Sequence, residues 1–324
     1  MLNSTETVSQ QFLSAFEDYL SASEIRKEPQ GIYDPINYVL SMGGKRIRPV
    51  LMLLAYSMYK GSEKAKDILP AALAIETYHN YTLLHDDVMD KADVRRGKPT
   101  VHKKWNENAA ILSGDSMLVL AYQRMMQVES SRLREVLDLF TTTALEIGEG
   151  QQYDLEFESR MDVKEAEYIE MIRLKTSVLL ACALKIGAIL ADAPQADCDK
   201  LYDFGINMGL AFQLQDDYLD VYGDFKTFGK AIGGDILCDK KTFMLINAIN
   251  KAKDFAFGKQ YSSPQEKIAA VTNLYNELGI DKLAQEKIEH YFNIARKALD
   301  EVQLTYETKE PLYSYLNEML KREK

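Results

Sequence analysis

The chain has 324 residues, 46% hydrophobic and 27% charged, with a formal net charge of −10. That is enough apolar material for one large core or two ordinary ones, and it excludes a disordered chain. The acidic balance argues against nucleic acid as the main partner, and it admits an anionic substrate only where local basic clusters or bound cations overcome the global field.

The three cysteines, Cys182, Cys198 and Cys238, form no Cys-x-x-Cys pair. This excludes a disulfide framework or a zinc knuckle and fits a reducing cytoplasm. The N-terminus has no basic region followed by an apolar run, so no signal peptide is expected. The most apolar stretch, Ser177–Ala193, carries Lys185 at its middle and reads as a buried core helix rather than a membrane span.

Glycine (17) and proline (8) are sparse, which leaves room for long helices. Apolar residues recur at helical spacing nearly throughout: Leu51, Leu54, Ala55 and Met58, then Leu69, Leu73, Ile75 and Leu83, later Val178, Ala181 and Cys182, and then Ile268, Val271, Leu274 and Tyr275. No stretch alternates as a strand does. The breaks at Glu28–Gly31, Gly61–Glu63, Gly97–Pro99, Asp192–Pro194, Gly223–Gly234 and Ser262–Pro264 are too short for a domain linker. The expectation is a single all-α domain over residues 1–324, with ten or more helices.

Along the chain, GGKRIRP (43–49) places Lys45, Arg46 and Arg48 beside a flexible backbone at a helix start, a combination suited to phosphate. A helix over Pro70–Asp90 follows, with proline at its first turn and Asp86, Asp87 and Asp90 in its last. Negative charge is unfavourable at that end, where the helix dipole is already negative. The helix over Leu201–Tyr222 repeats the violation with Asp216, Asp217 and Asp220. Two breaches of one folding rule point to function.

In each cluster the outer aspartates are i and i+4, on one face and roughly 6 Å apart along the axis. Like charges so placed call for a cation between them. Carboxylates without His or Cys suit Mg²⁺, which completes its shell with water and phosphate oxygens. Two such helices facing each other would clamp metal ions on a diphosphate, whereas a single cluster reads equally well as a solvated helix end. Arg95, Arg96 and Lys98 follow the first cluster within two turns. Residues 223–235 are not a P-loop: five residues separate Gly223 from Gly229, and Ala231 follows Lys230. A flap that brings Lys230 to an anion is the better reading.

These motifs, GGKRIRP, HDDVMDKADVRRGKPT, LKTS, FQLQDDYLDVYGD and GKAIGGD, resemble those of the trans-isoprenyl diphosphate synthases (polyprenyl synthetases), in family order and of the short-chain farnesyl or geranylgeranyl type. The resemblance covers about residues 40 to 245. It implies an isoprenoid-synthase-like bundle around a central cavity, assembly as a homodimer, and Mg²⁺-dependent coupling of isopentenyl diphosphate to an allylic diphosphate. It implies that Asp86, Asp90 and Asp216 ligate Mg²⁺ with support from Asp87 and Asp220. Arg95, Lys175, Lys230 and Lys240 are then expected on the allylic diphosphate, and Lys45, Arg48, His79 and Arg96 on isopentenyl diphosphate. Thr176 and Gln213 are expected near the developing carbocation. Tyr81, five residues before the first motif, is implied as the floor under the growing chain, which points to a short product. One residue more than in some relatives lies between Lys230 and Lys240. A terpene synthase or a non-catalytic subunit of a heteromeric synthase are the alternatives; the first does not need GGKRIRP, and the second is expected to lack one aspartate motif.

Overall fold

The computed structural model describes residues 7–128, 131–223, 232–252 and 261–320, and they are almost entirely helical. They fall into two compact units. The first runs from the N-terminal helix to Phe140 and takes in Cys182–Asp199 and Leu304–Leu312; the second comprises Thr141–Ala181, Lys200–Gln303 and the C-terminal segment from Tyr313.

In the first unit, α1 (Val8–Ala22) is opened by a capping box between Thr7 and Gln10, which satisfies two otherwise orphaned amides. Then come α2 (Gln30–Leu40) and α3 (Ile47–Lys60), ended by Gly61 at φ 84°. A 3₁₀ segment, Ser62–Ile68, leads into α4 (Leu69–Met89). Every residue of α4 from Ala71 to Tyr78 is buried, because it packs against α1, α2, α3 and two later helices, α5 (Val101–Lys104) and α6 (Glu107–Met125). A helix enclosed on all sides has no polar face to show. The C-terminal turn that emerges from this packed stretch carries the first aspartate cluster.

Between α4 and α5 the chain makes a small antiparallel hairpin, Val94–Arg95 against Lys98–Pro99. This corrects the expectation of no strand. Arg96 and Gly97 both have positive φ, 52° and 73°, the conformation of a type I′ hairpin turn. A ladder of two residues is too short to show alternation in sequence.

The second unit contains most of α7 (Leu133–Ser159), α8 (Glu165–Ile172), a π turn over Arg173–Ser177, and most of α10 (Gln195–Tyr222), while α9 (Val178–Leu190) contributes to both units. The short α11 (Gly234–Leu237), α12 (Phe243–Lys251), α13 (Pro264–Glu277) and α14 (Ile280–Asp300) follow, and α15 (Tyr306–Leu320) closes the chain. Tyr168, Met171, Leu214, Phe243 and Tyr275 lie in one buried cluster of this unit. The α10 helix begins six residues before the expected Leu201, directly after the Asp192–Pro194 break. Among the described residues, no helix is long and apolar enough to cross a membrane.

Candidate active site

The first acidic cluster divides by direction. Asp86 is half-buried and Asp90 exposed, one helical turn apart, with the Asp90 amide donating to the Asp86 carbonyl at 2.8 Å. Asp87 is turned inward and only 5% exposed. Arg95 Nε donates to both of its oxygens, at 2.8 and 2.9 Å, and Nη2 lies 2.7 Å from Oδ1. This forked, charge-assisted pair ties the hairpin to the end of α4. Of the three aspartates, Asp87 is the buried one, whereas Asp86 is half-buried and Asp90 exposed.

The hairpin also carries Arg96 onto the GGKRIRP loop. Its guanidinium donates to the Gly43 carbonyl, and a Cβ on Gly44 would lie 2.9 Å from Arg96 Cζ. With φ of 81° and 138° at Gly43 and Gly44, glycine suits both positions by conformation, and at Gly44 a Cβ would also displace the Arg96 guanidinium. Lys45 is exposed, and Arg48 Nη1 lies 3.3 Å from His79 Nε2. A guanidinium only donates, so Nε2 accepts and the proton of His79 resides on Nδ1. Burial, then Arg48, Arg96 and Arg95, hold His79 well below its ordinary pKa and keep it neutral. Burial lowers the Arg48 pKa to about 10, opposed by Glu76 and reinforced by Arg96. Its Nε is buried without a hydrogen-bond partner among the described residues.

Arg46 departs from the sequence reading of three phosphate-facing cations. It is 3% exposed and enclosed by Glu17, Glu76 and the Leu40 carbonyl. Below Asp86, aromatic rings stack along one face of α4. His85 meets Tyr81 at 4.9 Å between centroids, Tyr81 meets Tyr78 at 5.4 Å, and Tyr78 meets Phe140 at 5.3 Å. Gly114 of α6 makes room for His85, whose Nε2 lies where a Cβ would be. The Tyr81 hydroxyl is held above its ordinary pKa by burial, then by Asp115 and Asp86.

In the second unit, the π turn is wedged between two glycines. A Cβ on Gly150 of α7 would overlap the Lys175 backbone nitrogen, and one on Gly209 of α10 would overlap Ser177. Such π turns recur at functional sites because they redirect side chains. Lys175 Nζ donates to Asp154 at 2.7 Å, and Thr176 Oγ1 donates to Gln213 Oε1 at 3.1 Å. Gln213 Nε2 donates in turn to Asp217 Oδ1 at 3.1 Å, and the Tyr168 hydroxyl donates to Oδ2. Asp217 is thus enclosed, and burial, then Asp235, push its pKa up to about 7.

Asp216 is half-buried, whereas Asp220 is nearly buried. Asp220 accepts the Gly233 amide at its carbonyl (2.6 Å) and the Asp235 amide at Oδ2 (2.9 Å), and so it fixes the start of α11. Lys240 Nζ lies 3.9 Å from Asp235 Oδ1. Lys230 lies outside the described residues. Among those residues no three His, Cys, Asp or Glu side chains converge into a cage for a metal.

The structure thus brings together Arg96, Gly43, Arg48 and His79 in one unit, and Thr176 with Gln213 in the other. Sequence reasoning missed Glu76, Asp154 and Tyr168. An acid amid the apolar AALAIETYH run was the available signal for Glu76. Asp154 and Tyr168 offered none, because their partners lie 21 and 49 positions away.

Comparison with known proteins bears on all of this. The model of the family described as polyprenyl synthetase matches residues 29–278. The geranylgeranyl diphosphate synthase of Methanosarcina mazei is 41% identical over 249 residues, 76% of each chain. A crystal structure of a geranylgeranyl pyrophosphate synthase is similar with a TM-score of 0.91 and 41% identity, over 100% of both chains. The polyprenyl synthase of Caulobacter crescentus CB15, solved with calcium and isoprenyl diphosphate, has a TM-score of 0.85 and 26% identity, again over 100% of both chains.

Proposed function

The chain belongs to the polyprenyl synthetase family and is a prenyltransferase, and from this premise we propose that it condenses isopentenyl diphosphate with an allylic diphosphate to a farnesyl or geranylgeranyl product. The observation that carries the reading is the division of the first acid cluster. Asp86 and Asp90, one turn apart, are half-buried and exposed, while Asp87 is buried against Arg95.

That donor set fits Mg²⁺: hard oxygens, few in number, with no ready-made cage. Asp86, Asp90 and Asp216 would hold it, with Asp87 and Asp220 setting the direction of the motifs. Bound there, the metal would supply charge neutralisation to the diphosphate leaving group.

The protein's own groups do the rest. Arg95, Lys175, Lys230 and Lys240 bind the allylic diphosphate and stabilise the charge that grows as its C–O bond breaks. Lys45, Arg48, His79 and Arg96 orient isopentenyl diphosphate so that its double bond attacks the allylic cation. Thr176 and Gln213 face that cation with oxygen atoms. A new C–C bond forms, and one proton leaves to the released diphosphate. Water must be kept out while the cation exists. Leu83, Val88 and Phe212 are available for the wall, whereas Leu84 and Leu214, each 2% exposed, belong to the core.

We read residues 1–324 as one domain, because four of the five boundaries between the two units fall inside helices, in α7, α9, α10 and α15. None of the three cysteines forms a disulfide, in keeping with the cytoplasm. We also read the protein as a homodimer. Leu112, Val119 and Met126, 52–59% exposed, repeat every seven residues along α6 and its cap, the spacing of a helix-packing stripe. Replacing Leu112 and Val119 together by Glu is expected to halve the mass measured by light scattering. An unchanged mass would remove α6 from the interface.

The function is tested with purified protein, labelled isopentenyl diphosphate, an allylic starter and Mg²⁺, with and without EDTA. A Mg²⁺-dependent farnesyl or geranylgeranyl product is expected. Folded protein that elongates no starter would sink the reading.

A further inference from the structure

The GGKRIRP loop crowds three cations into four positions, Lys45 to Arg48, and the structure separates them. Arg46 sits at the N-cap of α3 with left-handed φ of 47°, an uncommon conformation for a residue with a Cβ. All three of its guanidinium nitrogens are occupied. Nε donates to Glu17 of α1 at 2.8 Å, Nη1 to Glu76 of α4 at 2.7 Å, and Nη2 to the Leu40 carbonyl at the end of α2 at 2.7 Å. The strained backbone is therefore over-determined by contacts to three helices, the circumstance in which such strain persists.

Glu76 makes the arrangement informative. It is 2% exposed, one turn before His79, and its Oε1 also accepts from Asn80 Nδ2 at 3.0 Å. A buried carboxylate thus sits among the cations assigned to a diphosphate. Its charge acts on Arg48 and on Arg96 as well as on Arg46. Left unpaired in a low-dielectric setting, it would oppose an incoming anion. Glu17, at 40% side-chain exposure, is screened by water.

We propose that Arg46 is a positioning residue for the isopentenyl diphosphate site: it neutralises Glu76 and fixes the turn that leaves Lys45, Arg48 and Arg96 for the diphosphate. The inference rests on the reading of that site given above. It assigns Arg46 no contact with substrate. Its effect reaches only the substrate held by this loop, not the allylic partner.

The test compares steady-state constants for both substrates and, separately, calorimetric binding of isopentenyl diphosphate. Arg46→Met is expected to raise KM for isopentenyl diphosphate about tenfold or more, equivalent to about 1.4 kcal/mol. KM for the allylic diphosphate should stay within about twofold, the signature of lost binding at one site. Adding Glu76→Gln should bring KM for isopentenyl diphosphate back to within about threefold of the parent, since the uncompensated charge is then gone. A merely structural arginine predicts the opposite: both constants worsen and the second change does not rescue. If Arg46→Met alone fails to fold, Glu76→Gln alone decides. It should tighten calorimetric binding of isopentenyl diphosphate, and unchanged or weaker binding overturns the proposal. Because calorimetry needs no turnover, a parent chain that binds but does not couple would overturn the prenyltransfer reading alone.

Discussion

Asp86→Asn is expected to lower kcat/KM by about 10³-fold, with the melting transition nearly unchanged. Removing one preorganised electrostatic group from a site of developing charge typically costs about 10²–10³-fold, and here the lost carboxylate also weakens the hold on Mg²⁺. Asp86 is half-buried at the last turn of an enclosed helix, so an isosteric amide disturbs little packing. Relief of charge at a helix C-terminus is itself slightly stabilising.

Asp87→Asn should divide the other way. It breaks the fork to Arg95, which is itself 28% exposed. About 2 kcal/mol of stability is expected to go with it, and the hairpin that carries Arg96 loosens. Initial rates across a Mg²⁺ titration, paired with thermal melts, separate the two variants. Equal losses of activity and stability in both would mean that the division of the cluster has no functional content.

Tyr81→Ala is expected to lengthen the product by at least one five-carbon unit. The Tyr81 ring is edge-on between His85 and Tyr78, with Phe140 behind Tyr78, in a stack that runs along α4 from His85. On the proposed placement of the diphosphate at Asp86, the growing chain is expected to meet that stack first at His85 and Tyr81. Truncation opens the upper layer and leaves Tyr78 and Phe140 as the next obstacle. Chromatography of the dephosphorylated products reads the result. The same product at the same yield would assign Tyr81 to packing alone, and a stability loss of about 2 kcal/mol, the lower end for large-to-small changes, would then be its only effect. Ideal helix geometry rotates Tyr81 about 140° from Asp86, so the floor expected from the sequence rests on the family resemblance and not on helix geometry. Asp86 nevertheless acts on the Tyr81 hydroxyl.

The sequence by itself determined the helices, because apolar spacing repeats locally at about 100° per residue and needs no distant partner. It also determined that Asp86 and Asp90, and likewise Asp216 and Asp220, share a helical face, since an i to i+4 relation survives any packing. The glycines of GGKRIRP and the break at Gly97 were legible for the same reason, as conformations that few other residues take up readily.

The direction of each charge was decided only by the tertiary structure. Arg46 and Arg48 are two residues apart, yet one is closed in by Glu17 and Glu76 and the other meets His79. Asp86 and Asp87 are adjacent, yet only the second finds Arg95. The π turn that aims Lys175 and Thr176 depends on Gly150 and Gly209 from two other helices. In each case the deciding partner lies on another element, from 8 to 32 positions away. Whether a charged side chain is buried or presented depends on which carboxylate or backbone group reaches it, and local spacing carries no record of that.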